Sequence, residues 1–288
     1  MTTTAARNRA ILWLAGPAYL WLLATVLLPL AAMLYFSFLT VSPLSGTPEF
    51  TLAHYRTFFT QEVYLVNAGR SMMLGLHVTL LCLAFGYPAA WVLARVIKNR
   101  WREAMLLLVV LPFWSNGLVR TFSWTMVLTD YGLIGRALHA VWPGAPSIEI
   151  MNSYPAILVG LTHAYLPYVV LTCYVSLQGI NPSLTEAARS LGASWGQVFL
   201  RVILPLSLPG IIAGAMLTFV PVMGSFMEPR ILGGTQAIML GTLIENQFTA
   251  AFNWPLGAAL GFVMLGAVFL LMALFWPLIR RHVQGVAA

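Results

Sequence analysis

Long apolar stretches, separated by short polar segments, dominate the hydrophobic pattern of this chain. A helix of about 20 apolar residues crosses the roughly 30 Å hydrocarbon core of a bilayer. Because lipid offers no hydrogen bonds to an open backbone, each long stretch is predicted to be an α-helix. Pro17 and Pro29 are predicted to kink the first helix rather than end it. The six predicted spans are approximately residues 11–39, 70–95, 103–128, 155–178, 206–228 and 256–279.

The amino-acid composition supports a location in the membrane. Hydrophobic residues make up 60% of the chain and charged residues 8%, whereas soluble domains carry roughly 25% charged residues. A chain of 288 residues with so few charges cannot cover a surface that faces water, so we predict an all-α polytopic membrane protein. Cys82 and Cys173 both lie in apolar runs, which favours two buried thiols over a disulfide.

Basic residues predict the orientation of the spans, because short loops rich in Lys and Arg stay in the cytoplasm. With both termini placed in the cytoplasm, the inside holds ten of the 15 basic residues. The net charge of +7 is therefore a topology signal, and we expect membrane lipid rather than nucleic acid as the partner. The ten are Arg7, Arg9, Arg95, Lys98, Arg100, Arg102, Arg189, Arg201, Arg280 and Arg281.

The cytoplasmic loop between the fourth and fifth spans, residues 181–205, carries two short helix patterns. Asn181 is predicted to cap the first helix, with Pro182 at its first position. Gly192 stands where a left-handed residue ends a helix. Ser194 and Gln197 form the pattern of a capping box for the second helix, before Pro205 leads into the fifth span. The first apolar stripe is Leu184, Ala187, Ala188 and Leu191, and the second is Trp195, Val198, Phe199, Val202 and Ile203.

Helices this short are unstable in water on their own. One interpretation is a hairpin that joins two spans and lies in the lipid headgroups. The other is a docking element that fits a groove on a cytoplasmic partner.

A resemblance favours docking. Glu186-Ala187-Ala188, followed by Gly192 and by Ile203-Leu204-Pro205, resembles the EAA loop in permease subunits of bacterial ABC importers. In that family the loop is a coupling helix that docks into an ATPase subunit. The resemblance implies that Glu186 reaches toward the ATPase, that Ala187 and Ala188 allow close packing, and that Gly192 makes the turn. The implied coupling residues are Glu186, Ala187, Ala188, Arg189, Gly192 and Ala193.

The resemblance extends over roughly residues 65–280 and is strongest to the spermidine/putrescine permease branch. The segments that carry it are Leu111–Thr121, Gly132–Ile134, Ile231–Gly234, Gly241–Ile244 and Asn253–Ala259. It implies the type I importer (MetI-like) fold with six transmembrane helices and both termini inside. The implied layout is a cytoplasmic N-terminus at 1–10, a first helix at 11–39 that wraps a partner permease, and a permease core at 65–281.

Active import needs an energy source that this sequence does not encode. A phosphate-binding loop needs a lysine after a glycine-rich turn, and the one lysine, Lys98, has no such turn before it. We therefore expect no enzyme activity and no cofactor in this chain. The resemblance implies two ATPase subunits that hold ATP and Mg, a second permease in a heterodimer, and a periplasmic solute-binding protein. It also implies the bacterial inner membrane, with outer loops at 41–69, 129–154 and 229–254.

Polar side chains in or near the spans are candidates for the solute pathway, because exposing them to lipid is costly. One alternative is that Arg120 and Glu228 lie at the interface and pair with each other or with headgroups. His77 and His163 are more typical of satisfied interhelical hydrogen bonds than of proton carriers. The candidate pathway residues are Trp114, Asn116, Arg120, Trp124, Glu228 and Arg230.

One position departs from the polyamine branch, which often carries an acidic residue where this chain has Arg230 before Ile231-Leu232-Gly233-Gly234. An arginine repels a polycation, and Glu228 compensates only in part. Polyamine stays the expected solute, and an amino-acid-, opine- or phosphonate-like solute is the alternative.

Two other classes of protein are considered. An ion-coupled secondary transporter needs ionisable groups near the midplane, and the predicted spans have no Asp or Glu there. An intramembrane enzyme is not supported, since the sequence lacks G-x-S-x-G and H-E-x-x-H.

Overall fold

A computed structural model describes residues 2–41, 46–97, 100–142 and 150–286, with side chains described from 15 to 274 within those ranges, except residue 236. Lys98 and residues 143–149 lie outside the described residues, as do the side chains of Arg7, Arg9, Arg280 and Arg281. The α-helices are α1 Thr2–Ser37, α2 Ala53–Thr60, α3 Glu62–Trp91, α4 Arg100–Val110, α5 Gly117–Leu128, α6 Leu133–Val141, α7 Tyr154–Gln178, α8 Pro182–Ser190, α9 Trp195–Val198, α10 Leu204–Met223, α11 Met227–Leu232, α12 Leu240–Thr249 and α13 Trp254–Val286.

The described residues confirm an all-α fold with long apolar helices. Within them, five helices are long and apolar enough to cross a membrane, and a bent pair makes a sixth. The five are Ala15–Ser37, Glu62–Val96, Tyr154–Gln178, Trp195–Met223 and Trp254–Leu274.

The predicted third span, 103–128, is wrong as a single straight helix. It divides into Arg100–Trp114 and Gly117–Val141, which meet at an angle of 96°. Ser115 and Asn116 adopt extended backbone angles at the break. Asn116 then caps α5 by accepting the backbone N–H of Leu118 at 2.8 Å. The polar Ser-Asn pair therefore ends one helix and starts another.

The predicted end of the fifth span is also wrong. We placed it at residue 228, but α10 ends at Met223 and Gly224 follows it. Glu228 lies in the separate short helix α11. Pro221 and Gly224 weaken the helix at this point, because proline removes a backbone donor and glycine a side chain.

The helices form two units, of which the first comprises residues 1–62 and 244–266. In this unit the Ser37 hydroxyl hydrogen-bonds the Tyr55 hydroxyl at 2.7 Å. The His54 ring bonds the carbonyl of Leu39 at 2.9 Å. Most of the described side chains of α1, from residue 15 onward, are exposed, including large apolar ones between residues 19 and 35. The prediction that this helix wraps a second permease stays a prediction.

The second unit comprises residues 63–243 and 267–288. Its core centres on α7, whose apolar side chains are fully buried on the faces that meet α10, α5 and the end of α3. The predicted burial of Cys82 and Cys173 as free thiols is confirmed. The fully buried residues of α7 are Ala156, Ile157, Leu161, Val169, Cys173 and Leu177.

The packing of α7 against α10 depends on glycines. A Cβ placed on Gly210 would lie 2.5 Å from the backbone oxygen of Thr172 and 2.5 Å from Cβ of Ser176. A Cβ on Gly214 would lie 2.6 Å from the Thr172 hydroxyl. Small residues of this kind let two membrane helices approach closely, which strengthens their van der Waals packing.

We expect Gly210→Ala to destabilise the protein by about 1–3 kcal/mol, because the added methyl meets backbone atoms and forces the helices apart. The measurement is the thermal unfolding midpoint of the purified protein in detergent. Gly69→Ala in α3 is the matched control, since a Cβ there meets nothing within 4 Å. Equal midpoints for the two variants would contradict this account of the contact.

Candidate functional site

The first half of the coupling loop has the predicted local structure. The Asn181 side chain accepts the backbone N–H of Ser183 at 3.1 Å, and Pro182 is the first residue of α8. Gly192 has φ +84°, the left-handed conformation predicted for it. A Cβ at Gly192 would meet no atom within 4 Å, so the backbone angle alone demands glycine there.

The second half agrees at its start and differs afterwards. Ser194 and Gln197 form the predicted capping box, with both reciprocal hydrogen bonds present. The second helix is not separate from the fifth span, however. It runs from Trp195 through a π-helical segment, Phe199–Ile203, into α10 without a break. Pro205 fits in this helix because the π segment just before it changes the hydrogen-bond pattern of the turn.

The two predicted stripes differ in burial. In the second stripe, Val198 and Ile203 are buried against the core of the unit. In α8 no residue is buried, and Leu184 and Leu191 are 46% and 89% exposed. The two leucines of the α8 stripe are thus left exposed, although amphipathic helices normally cover that face, while Ala188 of the same stripe packs against the core.

Most coupling residues predicted by resemblance lie on this open element. Glu186, Ala187 and Arg189 are exposed, and Ala188 is half-buried. The Arg189 guanidinium donates to the carbonyl of Ala193 at 3.0 Å and lies 5.1 Å from the Trp195 ring. Arg189 and Ala193 therefore hold the turn between α8 and α9 closed.

Sequence reasoning missed a structural role for Arg95, which it used only as a topology charge. One guanidinium nitrogen of Arg95 donates to the carbonyls of Leu177 and Ile180, at 2.9 Å each. These carbonyls end α7, just before Asn181 caps α8. The spacing of Tyr87, Trp91 and Arg95, four residues apart, was the available signal.

Two of the solute-pathway candidates, Asn116 and Arg120, hold the bend described above. The Arg120 guanidinium donates to the carbonyl of Pro112 at 3.1 Å, across the break. Asn116 caps α5. Trp114 is 81% exposed. Arg120 and Asn116 thus make structural contacts, whereas the Trp114 side chain is exposed.

Two histidines in the spans form interhelical hydrogen bonds, as predicted. The Trp124 indole N–H donates to Nδ1 of His163 at 3.2 Å, with ring centroids 5.5 Å apart. The His77 ring bonds the Tyr154 hydroxyl at 2.8 Å. Trp124 is therefore fixed against α7 rather than free to turn.

Arg120 and Glu228 do not pair with each other in the described structure, contrary to one alternative. The Glu228 carboxylate accepts the Ser225 hydroxyl at 2.5 Å, while Arg120 is engaged with Pro112. Because α11 packs on α5 and α7, the structure brings these two candidates into one region.

Aromatic side chains that the sequence reasoning did not single out line the same region. The rings of Tyr165 and Tyr168 stack with centroids 5.8 Å apart, and Phe113 meets Tyr168 edge-on at 4.7 Å. Trp124 on α5 contacts His163, which lies two residues before Tyr165 on α7. A cluster of aromatic faces with one carboxylate suits an alkylammonium group, since aromatic faces attract cations. We call Phe113, Trp124, Tyr165, Tyr168 and Glu228 the aromatic–carboxylate cluster.

Comparison with known proteins identifies the class. The family model of binding-protein-dependent transport system inner membrane components matches residues 86–284. The spermidine/putrescine transport system permease protein PotB of Escherichia coli (strain K12) is 36% identical over 259 residues, covering 89% of this chain and 93% of that protein. The protein of the same name in Haemophilus influenzae is 35% identical, covering 92% and 93%.

Solved structures show the same fold. A bacterial ABC transporter that imports the acidic polysaccharide alginate matches with a TM-score of 0.75 at 18% identity, covering 97% of this chain and 98% of that one. The MetNI methionine ABC transporter matches with a TM-score of 0.58, covering 76% and 95%. The chain belongs to the family of binding-protein-dependent transport system inner membrane components. It is a multi-pass permease of the inner membrane with the ABC importer fold.

We expect Gly192→Val to reduce uptake per ATP hydrolysed by about fivefold or more, because a β-branched residue is strained at φ +84° and misplaces α8. The measurement is solute uptake and ATP hydrolysis by the reconstituted transport complex. Gly192→Asn is the matched control, since asparagine adopts the left-handed region readily. A normal ratio in the valine variant would contradict the role of this turn.

Proposed function

We propose that this chain is the permease subunit of an ATP-driven polyamine importer, and that separate ATPase chains drive it through α8. The observation that carries the coupling half of this proposal is the open apolar stripe of α8. The support for the polyamine half is the identity of 34–36% to permeases named for spermidine and putrescine.

The exposed stripe supports docking over a lipid-lying hairpin. A hairpin in the headgroups would bury apolar side chains of both helices in lipid, with basic residues around them. Here Val198 and Ile203 of the second helix are buried in the protein, whereas Leu184 and Leu191 of α8 stay exposed. Its nine residues need a partner to be stable, and a helix seated in a groove gains one.

The two faces of α8 have different chemistry. At 3.6 residues per turn, Glu186 lies on the side of the helix opposite Leu184 and Leu191. A groove that accepts the leucines therefore leaves Glu186 at the rim, where it steers docking and sets register more than it adds affinity. Asn181 and Gly192 fix the two ends of the helix that carries both faces.

The proposed assembly rests on the likeness to permeases of binding-protein-dependent ABC importers. Two ATPase subunits that bind ATP and Mg would seat the coupling helices of two permeases, and the second permease would be a homologue in a heterodimer. A periplasmic solute-binding protein would deliver solute to the outer loops. This chain would hold no nucleotide, metal or other cofactor.

We expect Leu191→Asp to weaken binding of the ATPase subunits by at least about tenfold, because it places a charge within the proposed apolar contact. The measurement is co-purification of the ATPase with the tagged permease over a concentration series. The control is Ser190→Asp, which adds the same charge in the same turn but off the stripe.

The pair of variants separates three results. Loss of ATPase binding in Leu191→Asp alone supports docking of the apolar stripe in a groove. Equal loss of binding in both variants attributes the effect to the added charge at the helix end. Normal ATPase binding by both variants shows that α8 does not dock.

The aromatic–carboxylate cluster supports a cationic solute. Glu228 supplies a negative charge, and the surrounding rings supply faces that attract ammonium groups. Arg120 opposes this attraction, but its guanidinium is engaged with the Pro112 carbonyl. Arg230 is exposed on α11 and makes its own contacts. Its repulsion of a cationic solute is therefore weaker than that of a buried arginine, because water reduces the interaction between charges.

We expect Glu228→Gln to raise the KM for spermidine about tenfold or more, because it removes the one carboxylate of the cluster. The measurement is spermidine uptake by the complex in liposomes with its binding protein. Glu62→Gln, an exposed carboxylate at the start of α3, is the control and should leave KM unchanged. An equal KM for both variants would remove Glu228 from the pathway.

The wild-type complex in the same assay decides the class of solute. Polyamine-stimulated ATP turnover supports the proposal. The alternative is supported if polyamines leave ATP turnover unchanged and an amino-acid-, opine- or phosphonate-like solute stimulates it. A protonophore added to ATP-loaded vesicles tests for an ion-coupled transporter. Uptake that persists after this treatment excludes ion coupling.

A further inference from the structure

One face of the helix that forms the second span contacts the fifth span and the end of the fourth in sequence. The Tyr87 hydroxyl hydrogen-bonds the Ser207 hydroxyl of α10 at 2.9 Å. The Trp91 ring meets the Phe199 ring at 6.0 Å, near-perpendicular. Arg95 then reaches the two carbonyls that end α7. The three side chains follow one another at intervals of four residues, so they lie along one face.

The Arg95 contact ends at the residues that lead into α8. Leu177 and Ile180 are 0% and 5% exposed, and Asn181, the cap of α8, follows directly. A carbonyl at the end of a helix lacks an intrahelical partner, and a cation there also opposes the helix dipole favourably. One guanidinium nitrogen that serves both carbonyls therefore fixes the start of α8 to the second span.

The Trp91 contact ends at the other side of the coupling loop. Phe199 opens the π-helical segment Phe199–Ile203 at the base of the fifth span. Arg95 itself lies in a second π-helical segment, Val92–Val96. The α8 helix packs against the segment Phe199–Ile203. The residues just before α8 and just after α9 are thus both tied to the helix of the second span.

We propose that Tyr87, Trp91 and Arg95 form a brace that makes the second span and α8 move as one body, with Arg95 as its positioning residue. This inference rests on the proposed role of α8 in coupling. A displacement of α8 by an ATPase would then pass to the second span through Arg95 and to the fifth through Trp91 and Tyr87. Without the Arg95 contact, no side chain of this brace would tie the start of α8 to the second span.

The experiment measures the distance between nitroxide labels at Ser183 on α8 and Leu80 on the second span, both exposed. Cys82 and Cys173 are replaced by alanine to give a single pair of sites. The full complex with its ATPase subunits is measured nucleotide-free and after trapping with ATP and vanadate. No solute is needed.

The wild-type distance peak should keep its position in both states. In Arg95→Met the peak should shift or broaden on trapping, and uptake per ATP hydrolysed should fall about fivefold or more. Arg95→Lys, which keeps a donor at the site, should recover part of that ratio. The matched control is Arg102→Met, because the hydrogen bond that Arg102 makes among the described residues is local, to the Ile97 carbonyl at 3.0 Å.

Two results would overturn the brace. One is a wild-type distance that changes with nucleotide, which decides the matter even where a variant fails to assemble. The other is an Arg95→Met variant whose peak and ratio match those of Arg102→Met. Failure of the proposed function looks different, since the tagged permease would then hold no ATPase subunits to trap.

Discussion

A helix of nine residues forms too few internal hydrogen bonds to offset the entropy of ordering it in water. The structure of the α8 region follows from this constraint. Asn181 satisfies a donor at one end of the helix, and Gly192 turns the chain at the other. Neither covers Leu184 or Leu191, so the helix is held in place but left with an open apolar side. That combination is expected for an element that completes its packing against another protein.

The rest of the second unit positions this element rigidly. The close contact of α7 with α10 depends on small residues, Gly210 and Gly214, which bring the fourth and fifth spans together. The ends of these spans are the two ends of the coupling loop, so their separation sets where α8 lies. The 2.9 Å hydrogen bonds of Arg95 then tie the end of the fourth span to the second span. The short helix α8, which is marginally stable on its own, is therefore held in position by well-packed spans.

The sequence predicted what depends on local chemistry. The cap at Asn181, the left-handed Gly192 and the capping box at Ser194 are contained within a few residues each, and all are present. It did not predict the break at Ser115, because hydropathy alone does not distinguish a kinked span from two helices. It also missed Arg95 and the Tyr165–Tyr168 stack. Their partners lie 82 and 85 residues away in the first case and are arranged by tertiary packing in the second.

Amide hydrogen exchange of residues 182–195 tests the central claim most directly, because exchange reports local opening of the backbone. The permease is compared alone and with its ATPase subunits bound. The account predicts fast exchange in α8 alone and strong protection confined to this segment in the complex. Equal exchange in both samples, with the ATPase shown to be bound elsewhere, would contradict it.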